Sequence, residues 1–218
     1  MKRETIRMLS AHVDDDEWIN IARHEAGHAV AAILGTIDVY GNTFGIHKVH
    51  IRPRGTNFFL SRKGLPIYAY GLCEITGLYT ASVGTAEFVK STQPKMADHY
   101  IKCAEWEIIG CLAGPYADMV SRGHKSLKSI HWNAICSGVG ESDFESLFAL
   151  FDDLKILAGR RAGLEKLKDR TRRLVLDNWL AIDRLAAALM EKNSMSCADV
   201  MSVIGDLLPD RQPQALAA

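Results

Sequence analysis

The sequence predicts a mainly α-helical, α+β fold in which helices surround a small β-sheet or hairpin region that follows the first long helix. Three observations predict it. Residues 18–34 read as a helix whose second half, 26–34, is a stretch of mostly small and apolar side chains. Residues 47–53 alternate polar and apolar, as a half-buried strand does. From Pro94 almost to the end, apolar residues recur at helical spacing.

The first helix is expected over about residues 15–34. Asp14, Asp15, Asp16 and Glu17 stand at its start, where the helix dipole favours acids. Gly27 falls mid-helix at a cost of about 1 kcal/mol relative to alanine, which suits a close approach by another element. Gly35 reads as the stop. Residues 1–11 show no period and read as a frayed arm.

After glycines 41 and 45 the strand of residues 47–53 places Val49 and Ile51 inward and ends at Pro53 and Gly55. His47 and His50 then belong to its polar side or its end. Residues 56–93 are broken by glycines 64, 71, 77 and 84 and read as one or two short strands or hairpins with loops. An exposed strand edge there can bind an extended peptide by strand addition.

Residues 96–120 read as helical, with a kink or a break at Gly114–Pro115. Residues 122–128 form a basic connection, 130–135 carry no clear period, and 137–140 form a loop. Ser142, with Glu145 three residues on, makes a capping box for a helix reaching about residue 157. Beyond a break at 159–163, one long amphipathic helix is expected over 164–192, then a short one over about 197–208. The charged face of the long helix reads as solvated. The whole of residues 1–208 reads as a single domain, and 209–218 as a disordered tail.

Composition narrows the function. The chain has 218 residues, 48% of them hydrophobic, and zero formal charge. That supports a sizeable core and argues against nucleic-acid binding. The five cysteines include no Cys-x-x-Cys pair, which fits thiols in a reducing compartment better than a disulfide framework. No stretch approaches the roughly 20 apolar residues of a membrane span. A cytoplasmic protein without membrane contact is the expectation.

The chemistry sits in His24-Glu25-Ala26-Gly27-His28. Histidines four residues apart share one helix face, so both imidazoles can close on one tetrahedral Zn²⁺. Glu25 beside them can reach water at that metal as a general base. The pattern arises by chance in about one chain in a hundred of this length. Here it also falls on an apolar helix, where polar side chains need partners.

A catalytic zinc needs a third protein ligand and an open position. The offsets that metzincins fill with Gly and His hold Ala31 and Leu34, so that class is excluded. A glutamate on the following helix would have to be Glu74, in a poorly helical region. Asp143, in the first turn of a helix after a glycine loop, is the preferred candidate; Asp118, Glu105, Glu107 and Glu141 are rivals. Spacing alone does not rank Asp143 above Asp118.

Residues 22–32 resemble the peptidase domain of the FtsH-type ATP-dependent zinc proteases. So does the strand segment 48–55, and Ile109-Gly-Cys-Leu-Ala-Gly-Pro-Tyr-Ala-Asp118 is similar to that family's Gly-Gly-Arg-Ala-Ala-Glu-Glu helix. Residues 140–143 resemble the segment supplying its third ligand, and residues 179–203 resemble its closing helices. The resemblance spans about three-quarters of the chain and is sharply specific only in the first motif. It implies a helical zinc-metallopeptidase domain with His24, His28 and Asp143 on zinc, Glu25 as the base, and peptides or unfolded proteins as substrates. It weakly implies a ring-shaped homo-oligomer.

The sequence also departs from that family. Pro115 stands where the family carries arginine, the glycine-to-aspartate spacing at Asp143 differs by about one residue, and residues 56–93 match poorly. The chain holds no nucleotide-binding Gly-Lys-Ser/Thr loop, so any unfolding ATPase would be a separate partner. Two other readings share the motif: a regulatory metalloprotease of the ImmA type acting on one repressor-like partner, and a non-catalytic zinc-binding adaptor for an ATPase. Intact Glu25 argues against the adaptor, since a structural zinc has no use for a base.

Overall fold

Asp14 sits in extended backbone, and its side chain accepts the Glu17 N–H at 2.8 Å. This cap opens helix α1, Asp15–Tyr40, in a computed structural model that describes residues 14–79, 85–124, 141–159 and 163–209, with 141–146 described as backbone only. The helix does not stop at Gly35. It continues to Gly41, whose φ of 67° is the left-handed conformation glycine supplies at a helix end, and whose N–H donates to Ile37 O. Gly35 has another role: a Cβ there would lie 3.1 Å from Leu78 Cδ1 and 3.3 Å from the Trp106 ring.

Strand β1, Ile46–Ile51, runs at the centre of a three-stranded antiparallel sheet. On one side lies β4, Gly71–Ile75, and on the other a short strand β5, Ser194–Ser196, which the sequence reading missed. Between β1 and β4 the chain makes a hairpin of β2, Phe59–Leu60, and β3, Pro66–Ile67. Val49 and Ile51 point into the core as expected. His50 does not lie on a polar exterior: it is 2% exposed, stacks on Phe59, and meets Glu74 Oε1 at 3.0 Å and Ser194 Oγ at 3.1 Å. These partners satisfy an imidazole that strand alternation alone would send outward.

The remaining helices are α2, Thr85–Thr92; α3, Ala97–Ser121; α4, Glu141–Ala158; α5, Leu164–Asp177; α6, Trp179–Lys192; and α7, Cys197–Ile204. Helix α2 lies within the region read as strands and loops. Helix α3 runs unbroken through Pro115. The long helix expected over 164–192 is two helices, parted at Asn178, whose side chain donates to Leu174 O at 2.8 Å. On either side of the break, α5 lies mainly on α3 and α6 mainly on α1. The fold is mainly helical with small antiparallel sheets.

α1 packs most extensively against α3, with α6 on a second side and β1 and β4 on a third. Ala22, Ala26, Ala29, Val30 and Ile33 of α1 are fully buried there, among Ile108, Ile109 and Leu112 of α3. Each branched side chain among them contributes about 1.5–3 kcal/mol by leaving water. Gly27 sits at the crossing, where a Cβ would lie 2.8 Å from Ala113 O and 2.9 Å from Ala117 Cβ. The two backbones therefore meet as closely as a missing side chain allows.

Among the described residues no helix is long and apolar enough to cross a membrane, and no cysteines form a disulfide. The expected arm at 1–11, the segments 130–135 and 137–140, most of the connection at 122–128 and nearly all of the tail lie outside the described residues. So do the side chains of the Ser142–Glu145 capping box.

Candidate metal centre

The helical period brings His24 and His28 together on the face of α1 that meets α3. Their Nε2 atoms stand 3.0 Å apart, with the rings at 72° to each other. Two nitrogens on one tetrahedral zinc stand about 3.3 Å apart, given Zn–N bonds near 2.0–2.1 Å. The spacing is therefore close to what a shared metal requires.

Each outer nitrogen meets an oxygen of α3. His28 Nδ1 lies 2.7 Å from Gly110 O, and His24 Nδ1 lies 2.9 Å from Asp118 Oδ2. A backbone carbonyl only accepts, so the His28 proton sits on Nδ1; an ionised Asp118 imposes the same tautomer on His24. Both Nε2 atoms then turn lone pairs toward one another, an arrangement that calls for a proton or a cation between them. A carboxylate or carbonyl behind a metal-binding histidine is the usual way its ring is oriented and its basicity raised.

The room for an ion comes from Gly114. A Cβ on that residue would fall 2.3 Å from His28 Nε2 and 2.7 Å from His24 Nε2. Gly110, Gly114 and Asp118 recur every four residues, so they form one stripe along α3. With the helices antiparallel, that stripe presents in turn a carbonyl to His28, a gap to the pair, and a carboxylate to His24. The sequence reading treated Asp118 as a rival ligand and Gly114 as a kink. The four-residue repeat facing a four-residue histidine pair was the signal that could have assigned both.

Glu25 is 8% exposed, and its carboxylate lies against the start of β4: a Cβ on Gly71 would meet Glu25 Oε1 at 2.5 Å. Gly71 is held in place through its neighbour. Tyr70 O accepts the Arg52 N–H at 2.7 Å, and the buried Arg52 guanidinium lies 4.3 Å from the Tyr70 ring centre. Arg52 and Tyr70 thus form a hydrogen-bonded pair across the ladder, and antiparallel pairing alternates. The Gly71 backbone therefore faces away from β1, toward the outer edge of the sheet. Among the described residues β4 is that edge strand.

The other acids weighed for the metal are engaged elsewhere. Glu74 meets His50, Glu105 accepts from Arg170 at 3.4 Å, and the buried Glu107 accepts the N–H groups of Leu78 and Tyr79. Burial raises the Glu107 pKa, and those two backbone bonds oppose the rise. His47 is exposed on β1. Among the described residues no third His, Cys, Asp or Glu joins the histidine pair. Asp143 stands in the first turn of α4, and its side chain lies outside the described residues, as does that of Glu141.

Two imidazoles of matched tautomer and a gap that one methyl group would fill could hold a zinc ion, and among the described residues they supply two of the donors such a site needs. No model of a known protein family matches the chain. A comparison with curated proteins likewise gives no match.

Proposed function

We propose that this chain is a zinc-dependent endopeptidase, with His24, His28 and Asp143 as metal ligands and Glu25 as the general base. The observation that carries the reading is the pair of Nε2 atoms 3.0 Å apart, with both Nδ1 sides turned to oxygens and Gly114 leaving space beside them. The resemblance of residues 22–32 to FtsH-type peptidase domains supports it, and so does the acid Glu25 next to the first histidine in the sequence, which a purely structural zinc does not need.

Zinc held by His24, His28 and Asp143 would supply Lewis acidity to the scissile carbonyl and to the attacking water. Glu25 takes a proton from the attacking water and passes it to the departing amine nitrogen. Asp118 and Gly110 O hold the two imidazoles at fixed angles throughout. The outer edge of β4 offers backbone groups to an extended peptide, laying it beside the Glu25 carboxylate. Peptides or unfolded segments are accordingly the substrates, fed where needed by a separate ATPase.

Metal analysis of never-chelated protein, combined with peptide hydrolysis, tests this. Glu25→Gln should keep zinc and lose at least about a hundredfold in rate. His28→Ala should lose both zinc and activity. A parent protein without stoichiometric zinc, or a Glu25→Gln variant as fast as the parent, would sink the reading.

A further inference from the structure

A second pair of metal-binding side chains stands on α3, four residues apart as His24 and His28 are on α1. His99 and Cys103 share one face of the first turns of that helix, and His99 Nε2 lies 3.6 Å from Cys103 Sγ. Tyr40, the last residue of α1, reaches the same sulfur. Its hydroxyl is 4.0 Å from Sγ, and its ring centre is 5.8 Å from that of His99. Tyr40 lies beyond His28 by about 18 Å of helix, so this cluster is separate from the histidine pair.

The spacing fits an ion as well as it fits a proton. A d¹⁰ ion such as zinc makes bonds of about 2.3 Å to sulfur and 2.0–2.1 Å to imidazole nitrogen, which sets the two donors about 3.6–3.8 Å apart at tetrahedral to trigonal angles. In the metal-free protein an S–H donated to Nε2 spans the same gap, so the donors keep their places.

Charge and donor count select the ion. Cys103 is 1% exposed, and burial pushes its thiol pKa up, so a bare thiolate is disfavoured there. A monovalent cation on the thiolate leaves no net charge to bury, whereas a divalent one leaves a full positive charge. Among the described residues no third His, Cys, Asp or Glu completes the pair. Glu107, one turn further on, accepts the N–H groups of Leu78 and Tyr79, and Lys102 is turned to Asp38 at 3.0 Å. Zinc sites take three or four protein ligands, while thiolate and imidazole together suit soft copper(I), which is satisfied by fewer.

We propose that Cys103 and His99 form a copper(I) site, with the ion bridging Sγ and Nε2. The thiol gives its proton to water as the sulfur–copper bond forms, and Nε2 supplies a lone pair in the tautomer protonated at Nδ1. The ion stays copper(I) throughout, so no electron is transferred. The Tyr40 O–H donates to the thiolate sulfur, an outer partner of the kind that steadies a metal ligand. Tyr40 is half exposed and His99 partly so, which opens the pair to solvent. The site uses none of the residues around His24 and His28 and does not depend on the peptidase reading.

The test titrates the full chain with Cu⁺ under anaerobic conditions, in competition with bathocuproine disulfonate, whose copper complex is coloured. The parent should withdraw one more Cu⁺ per chain than Cys103→Ser does, and His99→Gln should hold that ion about tenfold more weakly or worse. Cys197→Ser, which alters a thiol elsewhere in the fold, should match the parent. In His28→Ala the Cys103-dependent copper should persist, so this site and the zinc reading fail separately. Circular dichroism and the Tm of the metal-free variants, equal to the parent's, show that they are folded. His99→Gln, at a partly exposed position, decides the matter if Cys103→Ser does not fold. Equal copper uptake by the parent and Cys103→Ser overturns the proposal, as does a His99→Gln variant that holds copper like the parent. A parent that takes no copper from the chelator overturns it too. The same loss in Cys197→Ser marks adventitious thiol binding and overturns it, and displacement of the copper by an equal concentration of Zn²⁺ overturns the choice of a monovalent ion.

Discussion

Gly114 on α3 faces His28 on α1 so closely that a methyl group on it would sit 2.3 Å from His28 Nε2. A helix interior normally gains from alanine in place of glycine, by about 1 kcal/mol. Gly114→Ala should therefore separate metal binding from folding. We expect the metal-free variant to match the parent's stability within about 1 kcal/mol, because the ring can turn aside when no ion holds it. The zinc-induced rise in Tm should largely vanish, and thermal melts with and without zinc read both quantities. An undiminished zinc shift would place the ion elsewhere.

The Asp118 carboxylate meets His24 at Nδ1, on the side of the ring away from the His28 imidazole. Asp118→Asn keeps the shape but weakens the acceptor, and partners of this kind typically govern 10- to 100-fold in metal affinity. Chelator competition should show a loss of about that size. An unchanged affinity would mean that His24 is oriented by something else.

Gly71→Ala presses on the Glu25 side chain, whose Cγ and Oε1 both lie 2.5 Å from the new methyl position. The buried glutamate must shift from its Cγ outward to make room, so some loss of stability is expected beside the loss of rate. The rate should fall by about tenfold or more at unchanged zinc content. Equal activity with equal zinc would show that Glu25 need not rest against β4.

His50 gives a pH dependence separate from the metal centre. Burial lowers its pKa, and the bond to Glu74 only partly offsets that effect. In the unfolded chain the group titrates near its ordinary value of about 6.5. Below that value the unfolded state binds more protons than the native one, so stability is full above about pH 6.5 and declines as pH falls beneath it. His50→Gln should flatten this decline, which denaturant unfolding at about pH 7.5 and 5.5 would measure. A parallel decline in both proteins would remove His50 as its source.

Much of the α1 chemistry was legible because helical periodicity is local. Four residues make slightly more than one turn, so His24 and His28 share a face whatever the rest of the chain does. Glycine and proline misled in both directions. Gly35 looked like a stop, yet it admits Leu78 and Trp106 against the helix. Gly114–Pro115 suggested a kink or a break, and α3 continues through it as one helix. Asn178 carried no strong breaking signal, and on either side of it α5 and α6 lie mainly on different helices.

By itself the sequence determined the mainly helical class, the strand of Val49 and Ile51, and the histidine pair with its adjacent glutamate. Each depends on the intrinsic period of one segment. Only the tertiary structure decided that Asp118 stands behind His24 and that Gly114 makes the cradle. It also placed Gly71 against Glu25 and buried His50. Those roles depend on which turn of α3 meets which turn of α1 and on how β4 pairs with β1. Such relations join residues tens of positions apart, and close contact between whole elements fixes them, a constraint that no single window of sequence contains.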